Sequence, residues 1–253
     1  MIIIKTDHEV ELMRDAGKEL ALVHEKLAEL IRPGISTFEL DRKAEEYIRS
    51  AGCIPTEKGF EGYPASICAS VNDVVVHGIP SKSIILKEGD IIAIDTTLAK
   101  KGYQADAART YPVGKISAEA ERLIKVTRES FYEGIKHAME GSHLYDISAA
   151  IEDHVVKNGY SCVRDLTGHG IGKDMHEDPM IPNFHQKRRG PRLEKNMTLA
   201  IEPMVNAGRF DVNVLDDDWT VVTEDGSLSA HYENTVLITA GDPEILTLTS
   251  SEK

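Results

Sequence analysis

Apolar residues at Val10, Met13, Leu20, Val23, Leu27 and Leu30 recur at intervals of three, four and seven, the period of a single helix face. Thr6 and Glu9 stand ahead of them at capping-box spacing, so the pattern predicts a long helix from about Asp7 to Ile31. Pro33 and Gly34 stop it. Ser36 and Glu39 then offer a second capping box for a helix closing near Gly52. A second helix pair is predicted from Ser117 to Met139 and from Tyr145 to Asn158, closed by Gly159.

Between the helix pairs the segments Ile67 to Val71, Val74 to Val76 and Ile91 to Leu98 are short, β-branched and bounded by Gly, Pro or Asp, and read as strands. Lys101-Gly102 parts the strand ending near Ala99 from the next, Tyr103 to Tyr111, which predicts a hairpin carrying Asp95 on one arm and Asp106 on the other. A similar hairpin is predicted after Trp219, turning at Glu224-Asp225-Gly226 and returning through Tyr232-Glu233-Asn234.

The chain also repeats itself. LKEGDIIAID ends at Asp95 and LEKNMTLAIE ends at Glu202, 107 residues later. The same shift lays Pro33 to Gly52 on Glu140 to Gly159, with Gly34 on Gly141, Phe38 on Tyr145 and Glu45 on Glu152. A helix followed by a carboxylate-tipped strand therefore occurs twice. No linker rich in Gly, Ser or Pro separates the copies, so residues 1–253 are expected to form one domain of two halves, roughly 1–112 and 113–253. If the halves face each other, two acids distant in sequence converge on one point, as the ligands of a metal ion must.

Composition narrows the class. With 41% hydrophobic and 28% charged residues the chain reads as an ordinary globular protein, of α+β class by its elements. No run of 18 uncharged apolar residues is present to span a bilayer, and MIIIKTDHEVELMRDAG lacks the apolar core of a signal peptide, so a cytoplasmic location is expected. Cys53, Cys68 and Cys162 are odd in number and show no C-x-x-C spacing; each reads as a small buried hydrophobe. A net charge of −13 opposes broad binding to nucleic acid or to a membrane surface. Lys187, Arg188, Arg189, Arg192 and Lys195 form the one basic cluster, read as a solvated loop.

The candidate chemistry lies in Asp95, Asp106, His169, Glu202 and Glu233. Four carboxylates and one imidazole suit a pair of divalent ions, because carboxylates bridge metals while offsetting their charge. By position alone the acids are also consistent with turn caps at strand ends. His169 lies in Gly168-His-Gly-Ile-Gly, which lacks the G-x-G-x-x-G dinucleotide pattern; flanking glycines permit close backbone approach instead. His77 and His176 read singly as structural histidines, but beside a metal pair they suit donation to a polarised carbonyl. The chain has no G-x-S-x-G elbow, H-E-x-x-H helix or Walker loop.

SVNDVVVHGIP (Ser70 to Pro80), GDIIAIDTTLAKKGYQAD (Gly89 to Asp106), GHGIG (Gly168 to Gly172), HEDP (His176 to Pro179), AIEPMVNAG (Ala200 to Gly208) and SLSAHYENTV (Ser227 to Val236) together give the chain a resemblance to the type I methionine aminopeptidases of the M24 peptidase family, in their minimal bacterial form. The resemblance covers essentially the whole sequence. It implies the pita-bread fold, a pseudo-two-fold antiparallel sheet flanked by two helix pairs, and removal of the initiator methionine from nascent polypeptides whose second residue is small.

The same resemblance implies roles. Asp95 would chelate one divalent ion, His169 and Glu202 the other, and Asp106 and Glu233 would bridge them; the ions would be Co, Fe, Mn or similar. Glu202 would also move protons, with His77 and His176 on the scissile peptide. Phe60, Tyr63, Cys68 and Trp219 would form the methionine pocket, and Thr97 would support the metal site. The expected partners are nascent peptide N-termini and the ribosome, and the expected state is a monomer. Met175 and Glu57 depart from the family pattern, which often has an aromatic before His176 and a pocket cysteine at the latter place. Two other readings stand beside it: an X-Pro aminopeptidase or dipeptidase of the same fold, which shares the five-ligand set, and a non-catalytic peptide- or RNA-binding relative, a kind that typically loses ligands.

Overall fold

The computed structural model of the chain describes residues 1–252. Helix α1 (Asp7–Ala28) starts at the Thr6–Glu9 capping box, and α2 (Thr37–Ser50) at that of Ser36 and Glu39. Next come β1 (Ile54–Pro55), β2 (Cys68–Val71), β3 (Val74–Val76), β4 (Ile91–Lys100) and β5 (Tyr103–Pro112). The second half follows with α3 (Ala118–Ile135), α4 (Leu144–Lys157), β6 (Ser161–Cys162), β7 (Thr167–Gly170) and β8 (Glu177–Pro182). It ends with β9 (Thr198–Ile201), β10 (Met204–Asn206), β11 (Val212–Val214), β12 (Val221–Thr223), β13 (Ser229–His231), β14 (Asn234–Leu237) and β15 (Glu244–Ile245). The long helices α1 and α3 stop three or four residues before the predicted ends. No helix among the described residues is long and apolar enough to cross a membrane.

All ladders are antiparallel, in four groups: β1-β4-β2 with β5 on β4, β13-β10-β6, β11-β12-β3, and β15-β14-β9-β7-β8. Each half has its own apolar core. Leu20, Leu40 and Ile48 of α1 and α2 pack on Ile92 and Ile94 of β4, while Phe131, Ile147 and Ile151 of α3 and α4 pack with Leu199, Val205 and Val236.

The 107-residue shift survives into three dimensions. It carries α2 onto α4 end for end, and the C-terminus of α1 onto that of α3. It also preserves register: Ile54 faces Ala99 and Pro55 faces Leu98, just as Ser161 faces Asn206 and Cys162 faces Val205. Where β4 is continuous, its copy breaks at Glu202-Pro203 into β9 and β10. Proline has no N–H to give a ladder, so the break falls there. The facing strand breaks too, at Tyr232-Glu233 between β13 and β14.

The second predicted hairpin is corrected. The chain does turn at Glu224 to Gly226, but β12 pairs with β11 and β3, not with the strand that follows the turn. Val221 is buried in a cluster with Val75, Val76, Val163 and Met204, which draws β12 to β3. The acid-bearing strands β13 and β14 pair instead with β10 and β9. The true counterpart of the β4–β5 hairpin is therefore β9–β10 against β13–β14, with β11 and β12 inserted between the arms.

Candidate metal centre

Asp95 lies in β4 opposite Ala108, and Asp106 in β5 opposite Thr97. Residues two apart on a strand, and residues directly opposite across an antiparallel pair, share a face. Asp95, Thr97 and Asp106 thus point the same way. From the other half come His169 on β7, opposite Ala200, and Glu202 and Glu233 at the two strand breaks. The breaks are anchored through their backbone: the Asn183 side-chain amide donates to the Glu202 carbonyl at 3.0 Å, and the Glu233 amide donates to the Ala108 carbonyl at 2.9 Å.

His169 is held between two glycines that sterics require. A Cβ on Gly168 would lie 2.4 Å from the Ala200 carbonyl oxygen, and one on Gly170 2.1 Å from that of Asp178. The ring Nδ1 lies 2.9 Å from the Gly170 carbonyl oxygen, a bond in which Nδ1 must be the donor. Nε2 is then the lone-pair nitrogen, and it faces Asp106 Oδ2 at 3.7 Å and Glu202 Oε1 at 3.5 Å.

Ligand atoms of Asp106, His169 and Glu233 lie within 4.8 Å of one another. Asp95 Oδ1, Asp106 Oδ1 and Glu233 Oε1 are buried with no hydrogen-bond partner among the described residues. Burial drives the pKa values of Asp95, Asp106, Glu202 and Glu233 well above the usual carboxylate range, and the neighbouring carboxylates add to the rise. Burial likewise holds His169 down to about 3 and His77 to about 4, each with a smaller contribution from His176, so both rings are neutral. Orphaned acceptor oxygens around a neutral imidazole lone pair are the donor set of a hard-to-borderline divalent cation. The residues fit such an ion.

All five expected ligands line one cavity of about 160 Å³, and Phe60, His77, His176 and Trp219 form its walls. Phe60 meets His176 edge-on at 5.0 Å between centroids, and Trp219 meets Tyr63 at 5.0 Å and His77 at 6.1 Å. Tyr63, Cys68 and Thr97 stand behind the wall. The Tyr63 hydroxyl bonds the carbonyls of Ile67 and Gly78, fixing the turn on which His77 adopts φ +57°. A Cβ on Gly78 would sit 2.5 Å from the Ala69 carbonyl oxygen, so only glycine fits after His77. Trp219 arrives on the β11–β12 insertion, where Asp217 accepts its amide at 3.0 Å.

Glu57, noted in the sequence only as a departure, proves to be a fifth carboxylate of this cavity. Its two oxygens accept the Cys68 thiol at 3.3 Å and the Thr97 hydroxyl at 2.9 Å. Glu61 also lines the cavity and His231 lies behind Glu202; neither carried a signal beyond its proximity to Phe60 or Glu233. All three cysteines are free and buried. In the basic loop Arg189 pairs with Asp146, and Arg192 donates to the Gly141 carbonyl, so part of that charge is used in holding the loop. A larger cavity, about 500 Å³, opens behind the sheet between α1 and α3. Among the described residues it holds no metal-ligand cluster, and its Arg109 is already paired with Glu252.

The sequence profile of metallopeptidase family M24 matches residues 11–240. A methionine aminopeptidase of Clostridium perfringens is 56% identical over 98% of this chain and 99% of its own length. The crystal structure of a methionine aminopeptidase from Thermotoga maritima superposes with a TM-score of 0.96 at 43% identity, covering 98% of this chain and all of that one. A prolidase from Pyrococcus furiosus shares the fold, with a TM-score of 0.78 at 23% identity over 98% of this chain and 66% of its own.

Proposed function

The chain belongs to metallopeptidase family M24, and we propose that it is a methionine aminopeptidase, a metal-dependent hydrolase that removes the initiator methionine from nascent polypeptides with a small second residue. The observation that carries this reading is the convergence of four carboxylates and the His169 lone pair on a small walled cavity that also holds His77 and His176.

Asp95, Asp106, His169, Glu202 and Glu233 would hold two divalent ions. Oxygen-rich ligation favours Mn, Fe or Co over thiolate-seeking metals. Such ions polarise the scissile carbonyl and lower the pKa of water. Glu202 takes the proton from the attacking water and passes it to the leaving amine. His77 and His176 donate to the carbonyl oxygen as it gains charge. Phe60 and Trp219, with Tyr63 and Cys68 behind them, enclose the flexible thioether. The small volume of the cavity supports selection for a free N-terminus. The enzyme acts in the cytoplasm as a monomer on chains emerging from the ribosome, without membrane attachment.

The test is hydrolysis of Met-Ala-Ser against Ala-Pro peptides by the protein reconstituted separately with Mn, Fe and Co. Preference for Met-Ala-Ser, lost in the variant carrying both Asp106→Ala and Glu233→Ala, is expected. Preference for the proline peptide would reassign the chain to X-Pro cleavage, and full activity in the double variant would remove the two-ion assignment.

A further inference from the structure

His231 is 1% exposed, and neither of its ring nitrogens has a hydrogen-bond partner among the described residues. Even a neutral imidazole carries one donor and one acceptor, so an unpartnered buried ring costs stability unless another state of the site uses it. Its Nε2 lies 3.7 Å from Glu202 Oε2, while Glu202 Oε1 lies 3.5 Å from His169 Nε2. Two imidazoles therefore flank the two oxygens of one carboxylate.

The pseudo-two-fold relation gives His231 a counterpart. Asp106 faces Thr97 across β4 and β5, and His231 faces Met204 across β10 and β13; Met204 is Thr97 shifted by 107. The backbones confirm the match. Thr235 Oγ1 accepts the Asp106 amide and donates to its carbonyl, each at 2.9 Å, and Thr110 Oγ1 does both for His231 at the same distances. The Asp95–Asp106 pair of the first half thus corresponds to Glu202–His231 in the second. Glu233, by the same register, corresponds to Ala108.

We propose that His231 is a positioning residue for Glu202: its Nε2–H donates to Oε2, which leaves Oε1 toward the metal side with His169 and fixes the orientation of the carboxylate that carries the proton. The 3.7 Å gap closes by a small rotation of the carboxylate. With His231 anchored through both its backbone groups by Thr110, the ring is a fixed reference and Glu202 is the part that adjusts. This inference rests on the aminopeptidase reading.

The experiment compares wild type, His231→Leu and His231→Gln as Mn-reconstituted protein on Met-Ala-Ser, with the thermal midpoint of each metal-free protein and its Mn affinity by calorimetry. Loss of an outer hydrogen bond to a ligand is expected to lower kcat by about 10–100-fold in His231→Leu, with KM and Mn affinity changed far less. The midpoint of the metal-free Leu variant should equal or exceed that of wild type, since an apolar side chain replaces an unpartnered ring. His231→Gln, which keeps a donor, should recover most of kcat. Wild-type kcat in His231→Leu overturns the assignment, as do equal losses in both variants accompanied by lowered midpoints. If wild type itself fails to cleave Met-Ala-Ser, the aminopeptidase reading falls and this inference with it.

Discussion

One hydroxyl, Thr235 Oγ1, satisfies both backbone groups of Asp106: the amide donates to it and it donates to the carbonyl, each at 2.9 Å. β5 and β14 share no backbone ladder, so this side chain substitutes for one. Replacing Thr235 with Val keeps the shape and leaves a buried N–H and C=O unpaired, an expected loss of about 2–4 kcal/mol. Thr235→Ser should retain most of it. Urea unfolding of the metal-free proteins measures the difference, and equal stability of Val and Ser variants would contradict it.

Glu57 brings a further carboxyl into the metal cavity; burial raises its pKa against the bonds from Thr97 and Cys68, and its ionised form, which a bound dication favours, acts on Asp95, Asp106, Glu202 and Glu233 alike. A dication is attracted by that charge even without direct ligation. Glu57→Gln, nearly isosteric, is expected to weaken Mn binding by about 5–10-fold, on the order of 1 kcal/mol of screened Coulomb energy. Calorimetric titration of both proteins checks it.

Metal removal should make stability depend on pH with a definite sign. Carboxyl pKa values raised by burial mean that these groups hold more protons in the folded state than in the unfolded chain above about pH 4, which lowers stability as pH rises. The buried neutral His77 and His169 act oppositely below their unfolded value of about 6.5, so the metal-free protein is expected to lose stability as pH rises above about 7. Saturating metal should reverse this, adding about 2.7 kcal/mol at a hundredfold excess over Kd. Thermal melts with and without chelator from pH 5 to 8 test both statements.

Glu252 behaves oppositely. Burial alone would raise its pKa, but the charge and hydrogen bonds of Arg109, joined by those of Tyr232 and Thr249, outweigh it and hold the carboxyl at about 2. A depressed pKa contributes stability that is present above the unfolded value of about 4.3 and lost as pH falls toward 2. Glu252→Gln should cost about 2–3 kcal/mol at pH 7 and flatten the acid limb of the stability curve. Arg109 keeps the Glu233 carbonyl and Asn234 as partners, so the variant should still fold.

Much of this was legible in order along the chain. The capping boxes at Thr6 and Ser36 start helices where expected, because their bonds are made within three residues. The β4–β5 hairpin was readable from Lys101-Gly102, and the duplication from the matching runs before Asp95 and Glu202. The second hairpin misled, because Glu224 to Gly226 do reverse the chain while burial of Val221 decides where β12 pairs.

Residues with local partners or a repeat could thus be placed from sequence alone: the helix pairs, the two halves, and the acids at Asp95, Asp106, Glu202 and Glu233 as candidates for one site. Tertiary structure decided which of them meet and on what terms. The register match of His231 to Asp106, the entry of Glu57 into the cavity and the delivery of Trp219 by the β11–β12 insertion all depend on contacts between distant segments. Local propensity carries no record of such contacts, since each is set by how buried surfaces dock and by which polar groups are left needing a partner.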